Sequence, residues 1–214
     1  MAVFKGRGVI LRERDMGESD KLLTLLLKDK GRLTISARGA RKPKSKFMAA
    51  AQLFTYADFV IYQGSGFYAL AQIDIIESFY PLRTSLETLC YAQLFAELCE
   101  KTIMENMPSD DILLLLLKAF QKLSEHDRPP VCLKMICGAF LFKYLQLSGY
   151  EPEPGMVKAS NPTEDAISYI LNAEIKDTFR FRLDEKYAKE LNRAGLALLE
   201  ANVDVTLKTL EMLN

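Results

Sequence analysis

Two hydrophobic periods divide the chain. Up to about residue 80, apolar residues alternate with polar ones or come in short runs bounded by turn signals; from Pro81 onward they recur at helical spacing. Val9 and Leu11 mark a first strand, and residues 20–28 (DKLLTLLLK) read as a buried strand or a short helix. Asp29-Lys30-Gly31-Arg32 is a turn signal, after which Leu33, Ile35 and Ala37 alternate with polar neighbours. QLFTYADFVIYQ (52–63) puts Leu53, Phe59 and Ile61 on one face, and Gln63-Gly64-Ser65-Gly66 turns the chain into FYALAQIDIIESF (67–79). About five short strands joined by hairpins suit a small barrel, of which the OB type is one.

In the second part Leu82, Leu86, Cys90, Leu94 and Leu98, spaced by four, form one stripe. Ser109 is placed to cap a second helix, with Asp110 and Asp111 in its first turn. Pro129 and Pro130 open a third, apolar on nearly every side, which Gly149 closes. Asn161-Pro162 starts another, and a last helical stretch runs from about Asp184 towards Leu213. The expectation is an α+β chain. Residues 1–80 form a five-stranded OB-fold nucleic-acid-binding domain, and 81–214 a helical bundle domain with a linker near 151–160.

Charge changes this picture. The whole chain has 28 basic and 28 acidic residues, yet residues 1–50 hold 13 basic against 5 acidic, leaving 15 against 23 for the rest. Within SARGARKPKSKF (36–47), Arg38, Arg41, Lys42, Lys44 and Lys46 meet no acid. Such a concentration suits a polyanion, because each phosphate neutralised by Lys or Arg releases counterions. Gly39 and Pro43 keep the segment out of regular structure. Phe54, Tyr56, Tyr62, Phe67 and Tyr68 are aromatic candidates for base stacking, or else barrel core.

Other chemistry is sparse. The lone histidine, His126, stands in a polar stretch without a nucleophile beside it and reads as a solvated turn residue. Gly64-Ser65-Gly66 lacks the Gly-Lys-Ser/Thr ending of a phosphate loop and reads as a hairpin turn. Cys90, Cys99, Cys132 and Cys137 form no C-x-x-C pair, so no zinc and no other cofactor is expected. The most apolar run (131–148) is broken by Lys134 and Lys143, and the opening MAVFKGRGVILRERD is too polar for a secretory signal. A cytoplasmic location is expected.

The strings GVILRERDMGESDKLLTLLLKDKGRLTISARGARKPKSKF, QLFTYADFVIY and IIESFYPLR resemble the bacterial DNA repair family RecO. That family's pattern is Arg-Asp-x-Gly-Glu-x-Asp, Leu-Leu-Thr-Leu-Leu, Gly-(Arg/Lys), then Ala-Arg-Gly-Ala-Arg and a serine among basic residues. Asp15, Gly17, Glu18, Asp20, Gly31, Arg32, Arg38, Gly39, Arg41 and Ser45 stand at those positions. The likeness is specific over roughly residues 5–90 and looser through FLFKYLQLSGY (140–150).

The resemblance implies an N-terminal OB-fold, a C-terminal helical domain and no enzymatic turnover. It implies binding of single- and double-stranded DNA, annealing of complementary strands, and loading of RecA onto DNA coated by single-stranded-DNA-binding protein (SSB). RecR and the acidic, apolar C-terminal tail of SSB are the implied partners, and a nucleoid-associated location follows. Arg32 joins the five loop cations as a DNA contact, and Lys134 and Lys143 are the candidate cationic rim for the SSB tail. Two departures stand out. Gly149-Tyr150 is followed by no zinc-finger cysteines, and the final stretch VTLKTL (205–210) carries Asp204 and Glu211 nearby. The alternative reading is a barrel-plus-bundle adaptor that assembles proteins and binds nucleic acid weakly.

Overall fold

The computed structural model describes residues 2–125, 131–153, 155–156 and 158–212. It contains two compact units. Met1–Tyr80 groups with Ala96–Leu113, and Pro81–Phe95 groups with Leu114–Asn214. The helices α1 (Leu86–Thr102) and α2 (Asp110–Leu123) therefore contribute residues to both.

The first unit is a closed five-stranded barrel: β1 (Ala2–Met16), β2 (Asp20–Leu27), β3 (Gly31–Ala37), β4 (Tyr56–Gln63) and β5 (Tyr68–Glu77), in the order β1-β2-β3-β5-β4. One long strand closes it. Residues 2–9 of β1 pair with β4, and residues 8–16 pair with β2, with the register shifting between Ile10 and Arg12. A bulge of this kind bends a strand and lets it serve two neighbours. β3 meets β5 in parallel through the single pair Ser36 and Ala69. Leu23, Leu25, Leu27, Leu33, Ile35, Phe59 and Ile61 alternate inward to make the core.

β4 begins at Tyr56, four residues after the stretch the hydrophobic pattern marks. Leu53 is not in a strand, and buried Phe54 adopts a left-handed φ of 70°, which interrupts an extended run. Residues 103–106 lie along the outside of the barrel. The Arg32 guanidinium donates to Ile103 O at 2.8 Å, and Asn106 N donates to Arg32 O at 3.1 Å. Gly31 (φ 68°) lies so close to Met107 that any side chain there would strike the Met107 carbonyl.

The second unit is built around α3 (Val131–Leu147), in which Leu133 and every residue from Met135 to Leu145 is buried. Phe95 stacks on Phe140 at 3.9 Å between ring centroids. α4 (Asn161–Asn172) and α5 (Glu185–Asn202) pack against α3 and each other. Gly138 of α3 permits the closest approach: an added Cβ would sit 2.7 Å from Leu191 Cγ and 2.9 Å from the Leu191 carbonyl carbon.

α2 begins at Asp110, directly after Ser109 as the sequence implies; the Ser109 carbonyl accepts from Leu113 N at 3.0 Å, while its hydroxyl donates back to Met107 O at 3.2 Å. Other helix boundaries differ from those the sequence implies. Leu86, the first residue of α1, is 76% exposed and lies off the buried stripe, because Leu82 belongs to a separate 3-10 turn. The cap of α4 is Ser160, with Asn161 already helical. α5 ends at Asn202, and a 3-10 turn at Lys208–Met212 follows an irregular stretch. His126, Pro129, Pro130 and Leu213 lie outside the described residues.

Candidate nucleic-acid interface

The basic segment follows β3 as a succession of reverse turns. Ala40 N, Lys42 N, Ser45 N and Met48 N each donate to the carbonyl three residues earlier. Buried Ala40, Phe47, Ala50 and Ala51 fasten it to the barrel. The β1–β2 turn holds its beginning. Asp20 Oδ1 accepts from Gly39 N at 2.7 Å, Ser19 O accepts from Arg41 N at 2.9 Å, and Gly17 O accepts from Arg41 Nη1 at 2.8 Å. Asp15 bridges Arg41 Nη2 at 3.2 Å. The Gly39 bond holds the Asp20 carboxyl below its ordinary range, helped by the Ser19 hydroxyl and by the charges of Arg38 and Lys42, against the opposing effect of burial. Gly39 has a φ of 68°, a conformation that glycine adopts without steric cost.

This clip sorts the six cations expected to bind DNA. Arg38, Lys42 and Lys44 are exposed, and their side chains make neither a hydrogen bond nor an ion pair among the described residues. Arg41 spends its guanidinium on the β1–β2 turn. Lys46 reaches Ala71 O at 3.4 Å and lies 5.0 Å from the Phe47 ring centroid. Arg32 points instead to the 103–105 segment, with Glu105 at 3.7 Å beside the Ile103 carbonyl. It is committed to holding that segment on the barrel.

The strand register adds a cation that run-counting misses. Arg14 stands opposite Leu22, and Leu22 opposite Ser36, so the three share the outer face of β1, β2 and β3. Arg14 is exposed, and two strand spacings, about 10 Å, separate it from β3 where the basic segment begins. The alternation Arg12, Arg14 in LRERD is the signal that identifies it. Of the aromatic candidates, Phe54 is fully buried, Tyr56 is half-buried, and Tyr68 packs edge-on against Phe4. Tyr62 and Phe67, flanking the β4–β5 turn, are exposed at 45% and 46%. Free cations on the outer β1–β3 face and aromatics on the β4–β5 hairpin are the surfaces through which barrels of this kind bind oligonucleotides.

In the second unit Lys134 and Lys143 do not share a rim. Nine residues make two and a half turns of a helix, which puts them on opposite sides of α3. Lys143 is 5% exposed, and its ammonium donates to Gln146 Oε1, Leu171 O and Ala173 O at 2.8, 3.1 and 2.7 Å. It satisfies the carbonyl end of α4, while burial lowers its pKa. A groove of about 750 Å³ lies elsewhere in this unit, with Val131, Met135, Ile136, Phe179, Phe181 and Leu183 as apolar lining and Lys122, Arg180 and Arg182 as cations. Lys122 pairs with Glu125 and Arg180 with Asp177; Arg182 has no such partner among the described residues. Among the described residues no group of three or more His, Cys, Asp or Glu is arranged to hold a metal ion, and no helix is long and apolar enough to cross a membrane.

Comparison with known families matches two stretches of the chain. Residues 1–79 match the model described as Recombination protein O N terminal, and residues 83–154 match Recombination protein O C terminal. The chain belongs to the recombination protein O family. Curated relatives carry the name DNA repair protein RecO. The one from Acetivibrio thermocellus is 29% identical over 95% of this chain and 93% of its own. That from Symbiobacterium thermophilum is 27% identical over 100% and 98%, and that from Pelotomaculum thermopropionicum is 36% identical over 71% and 57%. This membership makes the chain a DNA repair and recombination protein. The motif residues Asp15, Gly17, Asp20, Gly39 and Arg41 are those that clip the basic segment to the β1–β2 turn.

Proposed function

We propose that the chain is a non-enzymatic, cytoplasmic and nucleoid-associated recombination mediator. It binds single- and double-stranded DNA, anneals complementary strands and, together with RecR, helps load RecA onto SSB-coated DNA. The observation that carries this reading is the clipped basic segment. Arg38, Lys42 and Lys44 are held out from the barrel by backbone bonds that use none of their charge, with Arg14 on the adjoining face. Cations fixed in this way meet phosphates with little further loss of chain entropy. The groove in the second unit supports the SSB tail as a partner, because an acidic tail ending in an apolar residue needs an apolar floor and a free cation. Arg182 supplies that cation where Lys143 does not. Residues 1–80 and 81–214 are proposed as the two functional domains, the first for DNA and the second for the tail.

Annealing of complementary oligonucleotides, bare or SSB-coated, tests both halves. The wild-type chain is expected to accelerate both reactions. Arg38→Glu, Lys42→Glu and Lys44→Glu together slow both by about tenfold or more, as loss of several phosphate contacts requires. Arg182→Glu slows only the coated reaction. A wild-type chain that accelerates neither supports the adaptor reading instead.

A further inference from the structure

β2 opens on two charged residues that point to opposite sides of the sheet, as successive strand residues must. Asp20 holds the Gly39 amide, where the run of turns carrying the basic segment begins. Lys21 belongs to the other series, Lys21, Leu23, Leu25 and Leu27, whose three leucines are barrel core. Its side chain is only 12% exposed. The ammonium donates to Glu13 Oε2 at 2.6 Å and to Ala51 O at 3.0 Å. Ala51 is fully buried and belongs, with Ala40 and Phe47, to the same core as those leucines. Neighbouring residues of one strand therefore fasten both ends of the run: Asp20 the beginning and Lys21 the end. Lys21 counts among the 13 basic residues of the first 50, but its charge is spent inside the fold.

The chemistry of lysine suits this place. An ammonium has several donors and no acceptor, so one group serves a carboxylate on β1 and a carbonyl of the segment at once. A phosphate could reach Lys21 only by displacing both partners. Its effect on a bound strand is therefore exerted through the shape of the segment. With the far end released, the chain beyond Gly39 gains freedom, and its cations must be ordered again each time a strand binds. We propose that Lys21 is a positioning residue of the nucleic-acid interface. Its bond to Ala51 fixes the exit of the run, so that Lys42 and Lys44, which lie between the two fastenings, meet phosphates in a fixed arrangement. The inference rests on the reading that the basic segment binds DNA, and adds to it a residue that acts without touching the strand.

The test uses the whole chain and a short single-stranded oligonucleotide over a range of salt. Lys21→Met is expected to weaken binding by about tenfold, as ordering the freed end again requires. The slope of log affinity against log salt keeps its wild-type value. Hydrogen exchange at the Ala51 amide, which donates to Phe47 O at 2.7 Å, speeds up while the Gly39 amide keeps its protection. Lys21→Met leaves Glu13 unpaired, which lowers stability. Adding Glu13→Gln restores stability but not affinity, because the Ala51 carbonyl still lacks its cation. That double variant carries the measurement if Lys21→Met fails to fold. Recovery of affinity together with stability shows a merely structural role and overturns the proposal. A slope smaller in magnitude by about 0.7, one contact's share, also overturns it, since Lys21 is then a phosphate contact itself. Unchanged affinity in a folded Lys21→Met chain overturns it and leaves the DNA reading standing, whereas a wild-type chain without salt-dependent binding removes both.

Discussion

Asp20 forms no ion pair among the described residues, yet it sets the direction of the basic segment through the Gly39 amide. Its pKa lies below the ordinary value of 3.8 in the folded chain. A depressed carboxyl contributes stability that is present above the unfolded pKa and is lost as pH falls through the folded one. Protection of the Gly39 amide from hydrogen exchange is therefore expected to hold at neutral pH and to fall only in acid below 3.8. Asp20→Ala removes that protection already at neutral pH. Equal exchange in the wild type and the variant contradicts the clip. Sequence reading identifies Asp20, Gly39 and Arg41 as members of one motif but assigns Arg41 to DNA. Its second role is invisible in a charge count, because it depends on where the β1–β2 turn lies in space. Arg32 and Lys143 depart from expectation for the same reason: their partners are carbonyls far away in sequence.

At the scale of elements, the period of the apolar residues sets out five strands and the central helix, and the structure has them within a few residues. The ends of elements are where local signals fail. Ser160 caps α4 instead of Asn161, and α5 stops at Asn202 although the pattern continues. Packing also gives single glycines a role that periodicity does not reveal. An added Cβ at Gly138 of α3 would lie 2.7–3.0 Å from Leu191 and the Asn192 amide, while one at Gly195 of α5 would lie 3.2 Å from Leu141 Cβ, 3.3 Å from its Cδ1 and 3.5 Å from Gly138 O. Gly138→Ala should cost about 1–3 kcal/mol by overpacking, partly offset by about 1 kcal/mol of helix propensity. Gly195→Ala should cost less, since its contacts, at 3.2 Å and beyond, ask for a shift of only a few tenths of an ångström. Urea unfolding of the two variants measures this, and a Gly138→Ala chain as stable as the wild type contradicts the close crossing.

For the whole molecule, a formal charge of zero conceals a basic first quarter and an acidic remainder. That asymmetry is legible in the sequence and leads to the right segment. What the sequence hides is how the segment is held and which of its charges stay free. Turns pinned by Phe47 and Ala51 leave Arg38, Lys42 and Lys44 outside, and the strand register brings in Arg14. The most direct measurement is the affinity for single-stranded DNA as a function of salt. Three to four phosphate contacts predict a slope of roughly −2 to −3 in log affinity against log salt for this site, at about −0.7 per contact. Lys42→Glu with Lys44→Glu should reduce the magnitude of the slope by about two contacts' share and weaken all sequences alike, with the fold intact. A folded double variant with unchanged affinity and slope would show that the segment is a solvated surface and that the DNA contact lies elsewhere.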